Sequence, residues 1–251
     1  MFKADKKDKI VATIEARMTS TRLPGKVLLE ANGKPMLAHL ISRLRIVPSV
    51  KEIILATTVN KADEPLAEFA RRAGVAFFRG SEDDVMGRVV GAAESASADI
   101  IVEITGDCPI IDPAIIEQAI QMFLHNKCDY AGNAHARSYP DGMDTQVFRL
   151  ETLKKSYAMT TDRSEREHVS LHMRRHPELF AHVHLIAPPD LYWPELGLTL
   201  DTYDDYILLK RIIEHFGDLN PTFSCKEVIA FLENNPDFAN INEHIKRKCI
   251  L

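Results

Sequence analysis

Four short apolar runs, at residues 10–14, 53–58, 75–78 and 100–105, punctuate the first half of the chain, and β-branched side chains recur in them. They are nearly continuous instead of alternating with polar residues, the mark of strands covered on both faces. Residues 35–47, 62–73, 84–97 and 113–126 carry the wider apolar spacing of helices. Pro35 and Pro113 stand where a first-turn proline would, the second behind Asp112 as a cap. Alternation over short links predicts a parallel sheet with helices on both faces. In such sheets ligands bind outside the carboxyl ends of the strands.

The second half is less regular. "YPDGMDTQVFRL", Tyr139 to Leu150, predicts a turn and then a strand, with helices over 150–158 and 164–176. Residues 180–187 alternate like an exposed strand, 196–202 ("LGLTLDT") read as a buried one, and 203–216 and 224–234 as closing helices. No repeat, low-complexity tract or flexible linker interrupts the chain, and Pro188-Pro189-Asp190 is a turn more than a boundary. Residues 1–251 therefore read as a single domain.

Composition narrows the classes. With 45% hydrophobic and 27% charged residues the chain is ordinary for a globular protein. A net charge of −5 gives no global drive toward nucleic acid or an anionic membrane, so local basic clusters need local reasons. The four cysteines (Cys108, Cys128, Cys225, Cys249) form no CxxC pair, which reads as reduced cytosolic usage. The opening "MFKADKKDK" lacks an apolar core and a cleavage site, and no stretch approaches the roughly 20 apolar residues of a membrane span. The expectation is a cytoplasmic protein with a short frayed tail.

One such cluster follows the first strand directly. "ARMTSTRLPGKVL", Ala16 to Leu28, holds Arg17, Arg22 and Lys26 among three hydroxyl residues. Guanidinium forks and an ammonium match phosphate oxygens, and Pro24-Gly25 allows a tight bend. Neither a Walker loop nor GxGxxG is present. Asp107 in "TGDCP" and Asp201 in "LTLDT" each end an apolar run. Carboxylates at strand ends opposite a phosphate loop suit Mg²⁺, which takes one or two carboxylates plus phosphate oxygens. The ordinary alternative is that each caps the following helix.

The loop resembles the signature of the nucleotide-sugar cytidylyltransferases, the group of the 3-deoxy-manno-octulosonate and acylneuraminate enzymes, and is most similar to the SpsF-like branch. "GSEDDV", "TGDCPIIDP", "DGMDTQVF", "SEREHV", "TLDTYDDY" and "NPDFANINEHIKR" follow in family order. The resemblance implies a Rossmann-like three-layer α/β/α sandwich with a mostly parallel sheet, usually a homodimer. It also implies that an NTP and a sugar-type acceptor give an activated sugar and pyrophosphate. The implied nucleotide-binding set is Ala16, Arg17, Ser20, Thr21, Arg22, Lys26, Arg88 and Asp107, with Arg17, Arg22 and Lys26 as the catalytic cations. Asp107 and Asp201 would hold Mg²⁺. Asp144 corresponds to a position that grips acceptor hydroxyls, its turn shaped by Asp141 and Gly142. Arg88 matches the base-recognition helix, but Gly87 stands where close relatives carry Asp. CTP is the expected donor and GTP the alternative.

The remaining candidates have ordinary readings beside them. Arg166 and His168 in "SEREHV" could pair with an acceptor phosphate or carboxylate, although Ser164 and Glu167 have the spacing of a capping box. His168, His172 and His176 recur at helical spacing, which reads as a surface row more than a metal site. Trp193 reads as packing. Asp204 and Asp205 read as first-turn helix charges. Two rival functions remain: a GT-A-type glycosyltransferase that consumes a nucleotide-sugar, and a silent nucleotide-binding subunit. The density of cations at the first strand speaks for a triphosphate and so against the former.

Overall fold

A computed structural model describes residues 8–247; most of the N-terminal segment and Cys249 lie outside the described residues. The expected runs become β1 (Ile10–Glu15), β4 (Glu52–Thr58), β5 (Ala76–Gly80) and β6 (Ile100–Thr105), all mutually parallel. A small hairpin of β2 (Glu30–Ala31) and β3 (Lys34–Pro35) leads into α1 (Met36–Leu44). Helices α2 (Glu64–Ala73), α3 (Val85–Ser95) and α4 (Pro113–His125) connect or follow the strands. Asp112 caps α4 through Ala114 N–H at 2.8 Å and also accepts from Cys225 N–H at 2.7 Å.

Three further strands, β7 (Tyr130–Gly132), β8 (Gln146–Arg149) and β9 (His182–His184), complete a seven-stranded sheet in the order β5-β4-β1-β6-β8-β7-β9. β8 runs antiparallel to both neighbours, while β7 and β9 are parallel, so the sheet is mostly parallel. The chain winds outward from β1 in both directions, which puts the crevice at the ends of β1 and β6.

Side chains alternate across β1. Ile10, Ala12 and Ile14 join a large apolar cluster with α1, α2, α4, α8 (Tyr203–Phe216) and α9 (Cys225–Asn234). Val11 faces the other way, into a cluster with α3, α5 (Leu150–Met159) and α7 (Leu171–Arg175). These are the three layers expected. A last short helix, α10 (Pro236–Ala239), packs against α9. No described helix is long and apolar enough to cross a membrane. Trp193 is half-buried against the large cluster, as packing requires.

Four expectations are corrected. The helix expected over 164–176 is two pieces, α6 (Arg163–Glu167) and α7, because Val169 through Arg174 are all buried and no single helical face could bury them. Its cap is Asp162, accepting from Glu165 N–H at 3.0 Å, so Ser164 makes no capping box. His168 therefore shares no helical face with His172 and His176, whose rings lie 4.6 Å apart, and His172 is buried beside Ser156 Oγ at 3.0 Å instead of lying in a surface row. Of residues 196–202, 196–200 are buried and the last two half-buried, and the segment bridges a strand only at Asp141–Gly197. Leu198 N–H donates to Asp141 O at 2.7 Å and Leu200 N–H to Asp107 O at 2.8 Å, which brings this segment to the crevice without a ladder.

Candidate active site

The loop after β1 closes on itself, Gly25 N–H donating to Met18 O at 2.9 Å. It is tethered by two acids. Asp63, fully buried, accepts from Met18 N–H at 2.6 Å. Glu82 accepts from Thr19 Oγ1 at 2.6 Å, Asn60 Nδ2 at 2.5 Å and the Arg17 guanidinium at 3.0 Å. Neither was singled out in the sequence, although Glu82 sits inside "GSEDDV". Ala16 N–H faces Ala56 O at 3.3 Å, while Ser20 is half-buried and Thr21 exposed in the same loop.

Lys26 lies in the half-turn that ends the loop. Its Nζ donates to Asp107 Oδ2 at 3.1 Å and Asp201 Oδ1 at 2.9 Å, and Arg22 reaches the same Asp201 oxygen at 2.8 Å. Four residues thus meet at one point, with Lys26 and Asp201 175 positions apart in the sequence. Asp107 gets there because Gly106 lets the β6 loop press against β1: a Cβ at Gly106 would lie 2.7 Å from Glu15 O. Asp201 does not cap α8. Thr202 does so in a capping box with Asp205, which leaves the Asp201 carboxylate for the cations. Asp205 is itself buried and accepts from Arg247 and Asn242, more than a first-turn charge.

The electrostatics are reciprocal. Burial works against the Lys26 ammonium, but Asp107 and Asp201 outweigh it and hold its pKa above that of an ordinary lysine. Burial likewise opposes ionisation of Asp107, and Lys26 with the Thr105 hydroxyl brings its carboxyl below the usual range.

Asp144 is held close to Asp141, whose carboxylate faces Arg137 at 4.0 Å and Arg247 at 3.9 Å. Burial, then repulsion from Asp141, pushes Asp144 up to about 7, with Arg137 opposing. An acid that ionises less readily folded than unfolded stabilises the fold below its unfolded pKa of about 4, and that contribution is lost as pH rises through 7. In metal-free buffer the urea midpoint of the wild type is therefore expected to fall between pH 5 and pH 8. Asp144→Asn is expected to flatten that part of the profile; an unchanged slope contradicts the placement.

Arg88 is buried, donating to Ser81 O and, at 3.5 Å, to Glu82 O, so it shapes the "GSEDDV" turn from within. Arg166 is not beside Lys26. It stacks on Tyr157 at 3.5 Å and donates to Asp84 at 3.2 Å, to Thr160 O and to Tyr157 O. His168 ends α6 and is half-buried.

Asp84 caps α3 through Gly87 N–H at 2.9 Å and accepts from Tyr157 O–H at 2.9 Å. A Cβ at Gly87 would overlap the Asp84 carboxylate and stand 3.0 Å from Tyr157. The glycine is thus what lets Asp84, Tyr157 and Arg166 close over the helix start. Gly87→Ala is expected to cost about 1–3 kcal/mol in urea unfolding, the range for overpacking; a neutral effect would refute this reading.

Residues 11–243 match the family described as Cytidylyltransferase. The chain is 33% identical to the spore coat polysaccharide biosynthesis protein SpsF of Bacillus subtilis, over 93% of this chain and 98% of that one. It is 36% identical to the 3-deoxy-manno-octulosonate cytidylyltransferase of Trichlorobacter lovleyi over 62% of each chain. Among solved structures, a cytidylyltransferase from Leptospira borgpetersenii superposes with a TM-score of 0.88 at 31% identity, covering 96% of this chain and 100% of that one. CMP:2-keto-3-deoxy-manno-octonic acid synthetase, solved with CTP, shares the fold at a TM-score of 0.60 and 19% identity, covering 82% of this chain and 99% of that one. With a nearly full-length family match, and the fold of its structural relatives, this chain belongs to the cytidylyltransferase family.

Proposed function

We propose that the chain is a Mg²⁺-dependent nucleotidyltransferase that joins an NTP, CTP in this reading, to a sugar-type acceptor and releases pyrophosphate. One observation carries it: Lys26 clasped between Asp107 and Asp201, with Arg22 on the second acid, at the carboxyl edge of β1 and β6.

Both carboxylates already reach a single cation, the Lys26 ammonium, within 3.1 Å. Two such acids completed by phosphate oxygens are a habitual Mg²⁺ set. Among the described residues no group of three or more His, Cys, Asp or Glu is arranged to hold a metal, so phosphate would supply the remaining ligands. Asp107 and Asp201 would hold Mg²⁺, which when bound offsets phosphate charge and lowers the pKa of an acceptor hydroxyl.

The protein's own part is position and positive charge. Lys26 and Arg22 exchange their carboxylate partners for the β- and γ-phosphates and stabilise the departing pyrophosphate. Arg17 leaves Glu82 for the α-phosphate. The acceptor oxygen bonds to the α-phosphorus as the bond to the pyrophosphate oxygen breaks. An acceptor that arrives as an ionised phosphate needs no base. Asp141 and Asp144 suit acceptor hydroxyls. Arg166, engaged with Asp84, serves better as support for the base-side helix. We place the enzyme in the cytosol, as a homodimer, in surface-polysaccharide or glycoconjugate synthesis.

Four NTPs screened against about a dozen sugars and sugar phosphates for pyrophosphate release test this reading. CTP-dependent release is expected; preference for GTP would reassign the base, and consumption of a nucleotide-sugar without pyrophosphate would contradict the reaction. Turnover is expected to vanish in EDTA and return with Mg²⁺, whereas activity that persists in EDTA would remove the metal.

A further inference from the structure

An acceptor hydroxyl gives up a proton as its oxygen attacks, and Arg17, Arg22 and Lys26 are cations unable to take it. Asp107 and Asp201 are engaged with two of those cations. A second pair of acids, Asp141 and Asp144, stands in the turn before β8.

The turn is built to hold them. Gly142 has a φ of 104°, and a Cβ there would stand 2.7 Å from the Leu198 backbone, so the turn packs directly on that segment. Asp141 O accepts from Leu198 N–H at 2.7 Å and Asp107 O from Leu200 N–H at 2.8 Å, which ties the turn to the Asp107 loop through three consecutive residues. Buried Asn133 clamps the peptides on both sides of Asp144. Its Nδ2 donates to Met143 O at 2.8 Å, and its Oδ1 accepts from Thr145 N–H at 2.7 Å. Met143 is fully buried, whereas Asp144 is only half-buried. The backbone is thus fixed while the acid stays open to the crevice.

The surroundings of the two acids are unequal. Burial raises both carboxyls. Asp141 faces two guanidiniums, Arg137 at 4.0 Å and Arg247 at 3.9 Å, which favour its ionised form against the pull of Asp107. Asp144 has Arg137 alone, and its hydrogen bond to Asp141 keeps the shared proton on Asp144. The Tyr130 phenol and the Cys108 thiol feel Asp144 as well, and burial holds both of them protonated. That thiol stands 3.7 Å from Asp107 Oδ1, so Asp107, Asp141 and Asp144 all act on one side chain. Acid pairs whose settings push their proton affinities apart are the usual source of acid–base groups.

We propose that Asp144 is the general base of the transfer, taking the proton of the acceptor hydroxyl, and that Asp141 is the positioning residue that holds it. This rests on the nucleotidyltransferase reading of the site. The acceptor O–H bond breaks and its proton passes to an Asp144 carboxylate oxygen. The electron pair of that bond stays on the acceptor oxygen, which forms its bond to the α-phosphorus. The bond from phosphorus to pyrophosphate breaks with its pair on the leaving oxygen. Solvent then takes the proton from Asp144.

The test uses the full chain with CTP and Mg²⁺, with water as the hydroxyl acceptor, and follows pyrophosphate release between pH 5 and pH 9. Wild-type turnover is expected to rise with pH and level off above about 7, where Asp144 is ionised. Asp144→Asn is expected to lose about 10²-fold or more in kcat and to lack the rising limb, with KM for CTP little changed. Asp141→Asn removes the repelling charge, so its limb is expected at lower pH. Formate, a base small enough for the gap in Asp144→Ala, is expected to restore turnover to that variant, which a purely structural role would not allow. A limb that persists in Asp144→Asn overturns the proposal, as does a loss carried wholly by KM or an Asp144→Ala variant that formate leaves inactive. A wild type that neither binds CTP in calorimetry nor releases pyrophosphate sinks the nucleotidyltransferase reading and the base with it. Binding and release that both survive in Asp144→Asn sink the base alone.

Discussion

Lys26→Ala is expected to cut CTP-dependent pyrophosphate release by about 10²-fold or more, the scale of removing one preorganised charge from a transition state. The side chain touches both Asp107 and Asp201, and it ends the loop that would enclose the triphosphate. Removing it also leaves Asp107 without the cation that holds its carboxyl low. The fold should survive, because Lys26 contributes no apolar core and its neighbour Val27 keeps the half-turn packed. Steady-state turnover alongside a thermal melt checks this: near wild-type turnover in a folded variant contradicts the assignment.

Asp107→Asn is expected to be comparably severe, by about 10²-fold or more in turnover. The amide preserves volume, and the backbone bond from Leu200 N–H to Asp107 O does not involve the side chain, so the strand end stays in place. What is lost is one of two charges for the metal and one of two partners for Lys26. Because the two residues act on the same phosphates, the Lys26→Ala/Asp107→Asn double variant should lose much less than the product of the single losses. A fully multiplicative double variant would place them in separate roles, and turnover in Asp107→Asn within threefold of wild type would remove it from the site.

The central strands were legible because parallel strands buried on both faces leave continuous apolar runs, and residues 10–14 and 100–105 are such runs. Their carboxyl ends mark the crevice, and Arg22, Lys26 and Asp107 follow them directly in the sequence, whereas Asp201 follows a buried segment that joins no ladder. Other features had no local signature. β7 is three residues long, too short for any period, whereas β9 lies inside the alternating run 180–187. Residues 196–200 look like a strand because they are buried, yet backbone bonds from Leu198 and Leu200 go to Asp141 and Asp107. The break between α6 and α7 follows from burial on all sides, which helical spacing cannot anticipate. Arg166 and Asp84 are 82 positions apart, so the pairing that withdraws Arg166 from the acceptor emerges only from the fold.

A crystal structure of the chain with CTP and Mg²⁺ tests the central claim most directly. The expected electron density shows the phosphates on Lys26 and Arg22, with an ion on the carboxylates of Asp107 and Asp201. Nucleotide bound at another edge of the sheet, or an ion held away from both acids while they still clasp Lys26, would contradict it.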